Sequence, residues 1–321
     1  MQSDLMTKRA GFAVCGLLLL AGCSSDTPTR VAGDIVINDV EVFPENLTVA
    51  DDGTIYVGSV KGHVYRAAPD SLTAEPWIGH SPENGILTIL GVLADDASKS
   101  LWLCSVPNFF GPDRSQGVSS LMAFDLESGE QKGVYPFPAP SSVCNDVTIA
   151  ADGTAYASDT SNGRIFALAP GESELTLFGQ DPALIGIDGL AFSGDGTLYV
   201  NNVRSNEMLR IETDGEGAMT GLTSLSLSHE LAGPDGMRLI EGNRFIQAEG
   251  NNGRVAVITI DGDTATLEVV DDSFVSTPGA TTLGDTAYVL ESEIRYLTDP
   301  SLQGQQPESF MIYARPLPGA D

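Results

Sequence analysis

Apolar and polar positions alternate in short runs along most of this chain, and the runs recur in a fixed phrase. Phe43-Pro44-Glu45-Asn46-Leu47-Thr48-Val49-Ala50-Asp51-Asp52-Gly53-Thr54-Ile55-Tyr56-Val57 sets it out. Val143-Cys144-Asn145-Asp146-Val147-Thr148-Ile149 with Asp152-Gly153 and Tyr156 repeats it, as does Ile187-Asp188-Gly189-Leu190-Ala191-Phe192 with Asp195-Gly196 and Tyr199. In each copy a polar residue opens an apolar strand. An Asp-Gly hairpin signal follows seven residues after the opener, and a Tyr lies in the next strand. Weaker copies begin at Leu90, Asp235 and Pro278. Beyond the first two dozen residues no stretch keeps a helical period, so the expected class is all-β.

The openers are Glu45, Leu90, Asn145, Asp188, Asp235 and Pro278, spaced by 43 to 55 residues. A period of this size with several strands per unit predicts a six-bladed β-propeller. Third strands follow Asn-Gly turns, as in Asp159–Ile165 and Glu249–Val255, and fourth strands follow those. One closed domain is expected over 33–321. The run Asp34-Ile35-Val36-Ile37 is expected to complete the last blade beside Phe310-Met311-Ile312-Tyr313, leaving no open edge.

The start of the chain reads differently. Lys8 and Arg9 precede an apolar run, Ala10 to Leu20, which is the length of a secretory leader core and too short for a membrane span. Leu20-Ala21-Gly22-Cys23 resembles a bacterial lipobox. The expectation is a lipoprotein signal peptide over 1–22, lipid on Cys23, and a polar tether over 23–32. Ser24 after the Cys points to the cell envelope, on the outer-membrane and periplasmic side in a Gram-negative host. Cys104 and Cys144 would then face an oxidising compartment, where a bridge is permitted. Both fall on inner strands of neighbouring blades, and the reading prefers two buried free thiols.

Composition narrows the partners. The net charge is -28, with 16 Lys and Arg in 321 residues, which argues against nucleic acid and against electrostatic adsorption to anionic lipid. Membrane contact is expected through the lipid anchor alone, and the chain is expected to be monomeric. Hydrophobic residues at 42% exclude a disordered acidic tail.

Residues that open the innermost strands of a propeller converge on its axis at one face. Glu45, Asn145, Asp188 and Asp235 offer four oxygen-bearing side chains there, a set suited to a hard cation. Carboxylates that meet near an axis without a cation repel one another and hold protons. An Asp-Gly pair alone is an ordinary turn signal; the shared phase of these four sets them apart. No G-x-S-x-G elbow, H-E-x-x-H or phosphate-binding glycine loop is present. His80 and His229, on segments leading into the second and fifth blades, are candidate acid–base groups, with exposed loop residues as the plainer alternative. Phe109-Phe110-Gly111-Pro112 is a candidate pocket wall or irregular surface packing.

With these motifs in view, the chain resembles the SMP-30/gluconolactonase/LRE-like propellers, relatives of the paraoxonases, over about residues 40–300. Pro44-Glu45, Asn145-Asp146, Asp188-Gly189-Leu190-Ala191-Phe192 and Pro234-Asp235-Gly236-Met237 carry the resemblance. It implies a catalytic divalent metal, usually Ca²⁺ (Mg²⁺ or Zn²⁺ being alternatives), on Glu45, Asn145, Asp188 and Asp235. Asp188 departs from the family's usual Asn. A second ion beside Asn46 and Asp146 is a further possibility that the resemblance raises. The implied activity is hydrolysis of a small lactone or aryl ester, with Asp235 as general base or nucleophile and Asn145 orienting the substrate. The rival reading is a non-catalytic, Ca²⁺-stabilised lipoprotein that serves as a scaffold or small-ligand binder. Blade one also resembles metal-free synthases of the same fold in Tyr56-Val57-Gly58 and Gly62-His63-Val64-Tyr65-Arg66.

Overall fold

The computed structural model describes residues 29–107, 110 and 117–319. The expected leader, Cys23 and most of the tether lie outside the described residues, as does Phe109. Within them the chain folds as six blades of four antiparallel strands, the fifth extended at its outer edge by a short parallel strand, Ser226–Leu227. Blade one comprises Pro44–Val49, Ile55–Ser59, Val64–Ala67 and Thr73–Ile78; blade three comprises Cys144–Ile149, Ala155–Asp159, Arg164–Leu168 and Thr176–Gln180. The inner strands of blades two, four, five and six are Thr88–Asp95, Ile187–Phe192, Pro234–Glu241 and Gly279–Leu283. Helix among the described residues is limited to one turn, Arg295–Thr298, and two short 3₁₀ turns. No helix among them is long and apolar enough to cross a membrane.

Closure follows the expected pairing. Ile35–Ile37 lies antiparallel to the C-terminal strand, with Ile35 opposite Ile312 and Ile37 opposite Phe310. The same segment also pairs in parallel with Thr73 and Ala74 of blade one. Blades six and one thereby share one continuous eight-stranded sheet. Ile35, Ile37, Phe310 and Ile312 are buried in one cluster with Leu47, Ile55 and Tyr65, so the seam is apolar as well as hydrogen-bonded.

The expected tether is shorter at its C-terminal end than the residues suggested. Arg30 Nη1 donates to the carbonyls of Gly53 (3.0 Å), Ala67 (3.1 Å) and Ala68 (2.7 Å), and Nη2 donates to that of Ser71. Val31 N donates to Pro69 O at 2.9 Å. These acceptors sit in the turns that end the first and third strands of blade one. Arg30 is therefore seated on the face opposite the strand openers.

The inner strands are nearly touching. An added Cβ at Gly91 would lie 2.4 Å from Asn145 O, at Gly189 2.5 Å from Asp235 O, and at Gly236 2.8 Å from Pro278 O. Glycine is needed at these positions because the backbone of the next blade occupies the side-chain space. At this point in the repeat, blades one and three carry Asn46 and Asp146 in place of glycine.

Candidate metal centre

Each of the four oxygen-bearing openers sits where its inner strand slips register against the second strand. The slips fall between Pro44 and Asn46, Cys144 and Val147, Ile187 and Leu190, and Pro234 and Met237. A β-bulge re-aims side chains by adding a residue to one strand. Here it presents Glu45, Asn145, Asp188 and Asp235 at the axis, while Leu47, Val147, Leu190 and Met237 two residues on stay in the core. Glu45, Asn145 and Asp188 are 7%, 9% and 6% exposed, and Asp235 is partly buried.

The second strands hold this ring in place. Asp146 N donates to Ser158 Oγ (3.0 Å), and Ser158 Oγ donates to Asp188 O (2.9 Å). One blade on, Gly189 N donates to Asn201 Oδ1 (2.9 Å), and Asn201 Nδ2 donates to Asp235 O (2.6 Å). At the same phase in blade two stands Cys104, which forms a disulfide with Cys144, the residue before Asn145. The expectation of free thiols is corrected. Cys104 occupies the position from which Ser158 and Asn201 reach the next blade, and its Cα lies 5.1 Å from that of Cys144, within disulfide range.

The acids interact. Asn145 Nδ2 donates to Asp188 Oδ2 at 2.7 Å, and a hydrogen bond joins the carboxyls of Asp188 and Asp235. Burial pushes the Glu45 carboxyl well above the usual carboxylate range; Asp188 and Asp146 add to this, and Arg238 opposes it. Burial, then Asp146, pushes Asp188 up to about 7. Asp235 is raised well above its ordinary value by burial, by the charges of Asp188, Glu45 and Asp146, and by the proton it shares with Asp188. Glu45 Oε2 is buried with no hydrogen-bond partner. As they stand, no three His, Cys, Asp or Glu side chains among the described residues are drawn close enough to hold an ion. The donor set nevertheless fits a hard divalent cation: it offers three carboxyls, an amide oxygen available by rotation of Asn145, and an orphaned buried oxygen on Glu45.

The second pair of candidates behaves otherwise. Asp146 accepts both guanidinium arms of Arg238, at 2.6 and 2.9 Å, and Asn46 Oδ1 accepts from Arg238 Nη2 at 3.3 Å. A guanidinium stands where the resemblance suggested a second ion. Arg238 was missed in the sequence reading, although a signal was present: Thr48, Leu93, Thr148, Ala191 and Thr281 occupy its place in the other inner strands.

His80 and His229 are both exposed. His80 packs against His63 with ring centroids 6.3 Å apart, and His229 Nδ1 lies 3.0 Å from Ser228 Oγ. Neither is hydrogen-bonded to the acid cluster, and both stand on exposed loop segments. Phe110 packs against the cluster shared by blades six and one and that shared by blades two and three.

A family model described as "Strictosidine synthase-like, N-terminal" matches residues 34–67, the closing strand and the first three strands of blade one. No curated protein matches the chain. Among solved structures, a gluconolactonase from Xanthomonas campestris aligns with a TM-score of 0.63 at 16% identity, covering 90% of this chain and 92% of that one. A calcium-binding regucalcin from Agrobacterium tumefaciens aligns at 0.59 and 17%, covering 90% and 96%. Virginiamycin B lyase from Staphylococcus aureus aligns at 0.58 and 12%, covering 88% and 98%. With these likenesses spanning the whole ring of blades, the chain is a six-bladed β-propeller of the architecture that the gluconolactonase and regucalcin structures share.

Proposed function

We propose that this protein is a divalent-metal-dependent hydrolase of small lactones or aryl esters, with Ca²⁺ held by Glu45, Asn145, Asp188 and Asp235. The observation that carries the reading is that two buried carboxyls, Glu45 with an unpartnered oxygen and Asp188, stand with the partly buried Asp235 at one point of the repeat. A bound divalent ion supplies Lewis acidity toward a carbonyl oxygen. Asp235 is the most accessible of the acids. Freed of its shared proton, it takes a proton from the attacking water as general base. The Asn145 amide orients the substrate carbonyl. The gluconolactonase likeness supports the substrate class, and the regucalcin likeness supports calcium. The lipobox-like tetrapeptide supports attachment to the cell envelope through Cys23.

Asp235→Asn and Glu45→Gln should each lower ion content and reduce hydrolysis by at least ~100-fold, the scale of a lost general base. The measurement is elemental analysis of the purified protein, with a lactone and aryl-ester panel before and after chelation. Full turnover in either variant would sink the mechanism. Tightly bound calcium without turnover on the panel would favour the scaffold or binder reading.

A further inference from the structure

Below the acid cluster, the Arg238 guanidinium is met by five oxygens. Nη1 reaches Asp146 Oδ2 (2.6 Å) and Met237 O (2.8 Å); Nη2 reaches Asp146 Oδ1 (2.9 Å), Val92 O (2.9 Å) and Asn46 Oδ1 (3.3 Å). The accepting residues belong to blades one, two, three and five. Arg238 and Asp146 are 8% and 0% exposed.

An ordinary buried ion pair accounts for the Asp146 contact alone. It does not account for an amide oxygen and two main-chain carbonyls drawn from separate blades onto one charge. A carboxylate, an amide oxygen and main-chain carbonyls are the ligand types of a hard-cation site. The repeat sharpens the point. At the position after the opener, Gly91, Gly189, Gly236 and Gly279 have no side chain, and only Asn46 and Asp146 project one. Two positions further along their strands, the other blades carry Thr, Leu or Ala where blade five carries Arg238. Three departures from the repeat therefore meet at one place.

We propose that Arg238 is a built-in cation occupying a latent divalent-ion site formed by Asn46, Asp146 and the carbonyls of Val92 and Met237. The guanidinium restricts the channel to the ion of the acid cluster, and its removal uncovers a second binding position. Arg238 also lines a cavity of about 360 Å³ at the opposite mouth of the channel, beside Thr48, Thr148 and Thr281, so a truncated side chain leaves the oxygens open to water and ions.

The test is the number of calcium ions per chain, by elemental analysis after dialysis and by calorimetric titration with calcium chloride. Arg238→Ala should bind one ion more than the parent, and Arg238→Ala/Asp146→Asn should lose that extra ion. Because the reading is a difference, a parent that binds no ion, which would count against the hydrolase proposal, leaves this test intact. Arg238→Gln keeps part of the side-chain volume without the charge and should also gain one ion, more weakly. A folded Arg238→Ala or Arg238→Gln with the parent's count overturns the proposal. So does failure of both variants to fold at millimolar calcium, since an ion in the cage should replace the lost charge.

Discussion

At the residue scale, the acids couple protons to the ion. Folding raises the proton affinity of Glu45, Asp188 and Asp235, chiefly through burial. A carboxyl with a raised folded-state pKa contributes stability below its unfolded value, near 4, and that stability is lost as pH rises through the folded value. In chelator, the melting temperature should fall between pH 5 and 8, a window set by Asp188 at about 7. Saturating calcium should flatten the profile, because the ion replaces the protons. Calcium binding near pH 7 should also release protons, measurable by titration calorimetry in buffers of different ionisation enthalpy. A melting temperature indifferent to pH in chelator would contradict this coupling. The four openers were legible in the sequence because each stands at the same phase before its Asp-Gly turn or strand repeat. Arg238 was harder to see: its meaning depends on Asn46 and Asp146, which lie 192 and 92 residues away in the chain.

At the element scale, the inner strand of blade three is fixed twice to blade two. Gly91 allows it to approach, and the Cys104–Cys144 bridge fastens it. Gly91→Ala would place a Cβ against Asn145 O and Asp146 Cα, both backbone atoms that cannot swing aside. A destabilisation of about 1–3 kcal/mol is expected from such overpacking, with weaker calcium binding because Asn145 is displaced. Replacing both cysteines by alanine removes a cross-link spanning 40 residues. The cost should be about 3–4 kcal/mol, a drop of roughly 6–12 °C in melting temperature for a domain of this size. An unchanged melting temperature in the double variant would show that the bridge adds nothing to packing. Strands were readable from alternation and turns, whereas the bridge was not. Its two cysteines differ in phase within their blades, and only the pairing of second strand with next inner strand brings them together.

At the scale of the whole molecule, three residues close the ring. Ile35–Ile37 is the outer strand of blade six and pairs on both sides, so its loss would expose the edge of Phe310–Pro316 as well as that of Thr73–Ile78. A chain beginning at residue 38 should melt at markedly lower temperature and aggregate through those edges, as followed by scattering during a thermal ramp. Equal stability of the shortened and full chains would mean that the seam is dispensable. This closure was predictable because an isolated apolar run precedes the first full repeat and another follows the last. The loops over the opener face were not, since 79–87 and 228–233 follow no repeat.

Arg30 gives the propeller a heading. It is clasped by the turns at the far end of blade one, on the side away from Glu45, Asn145, Asp188 and Asp235. If Cys23 carries the lipid we propose, six residues lie between it and Arg30, and the seven steps from Cys23 to that clasp reach at most roughly 25 Å. The molecule then stands on its Arg30 face. The acid-lined mouth looks outward into the aqueous compartment, and a substrate arrives from solution without first crossing the lipid headgroups.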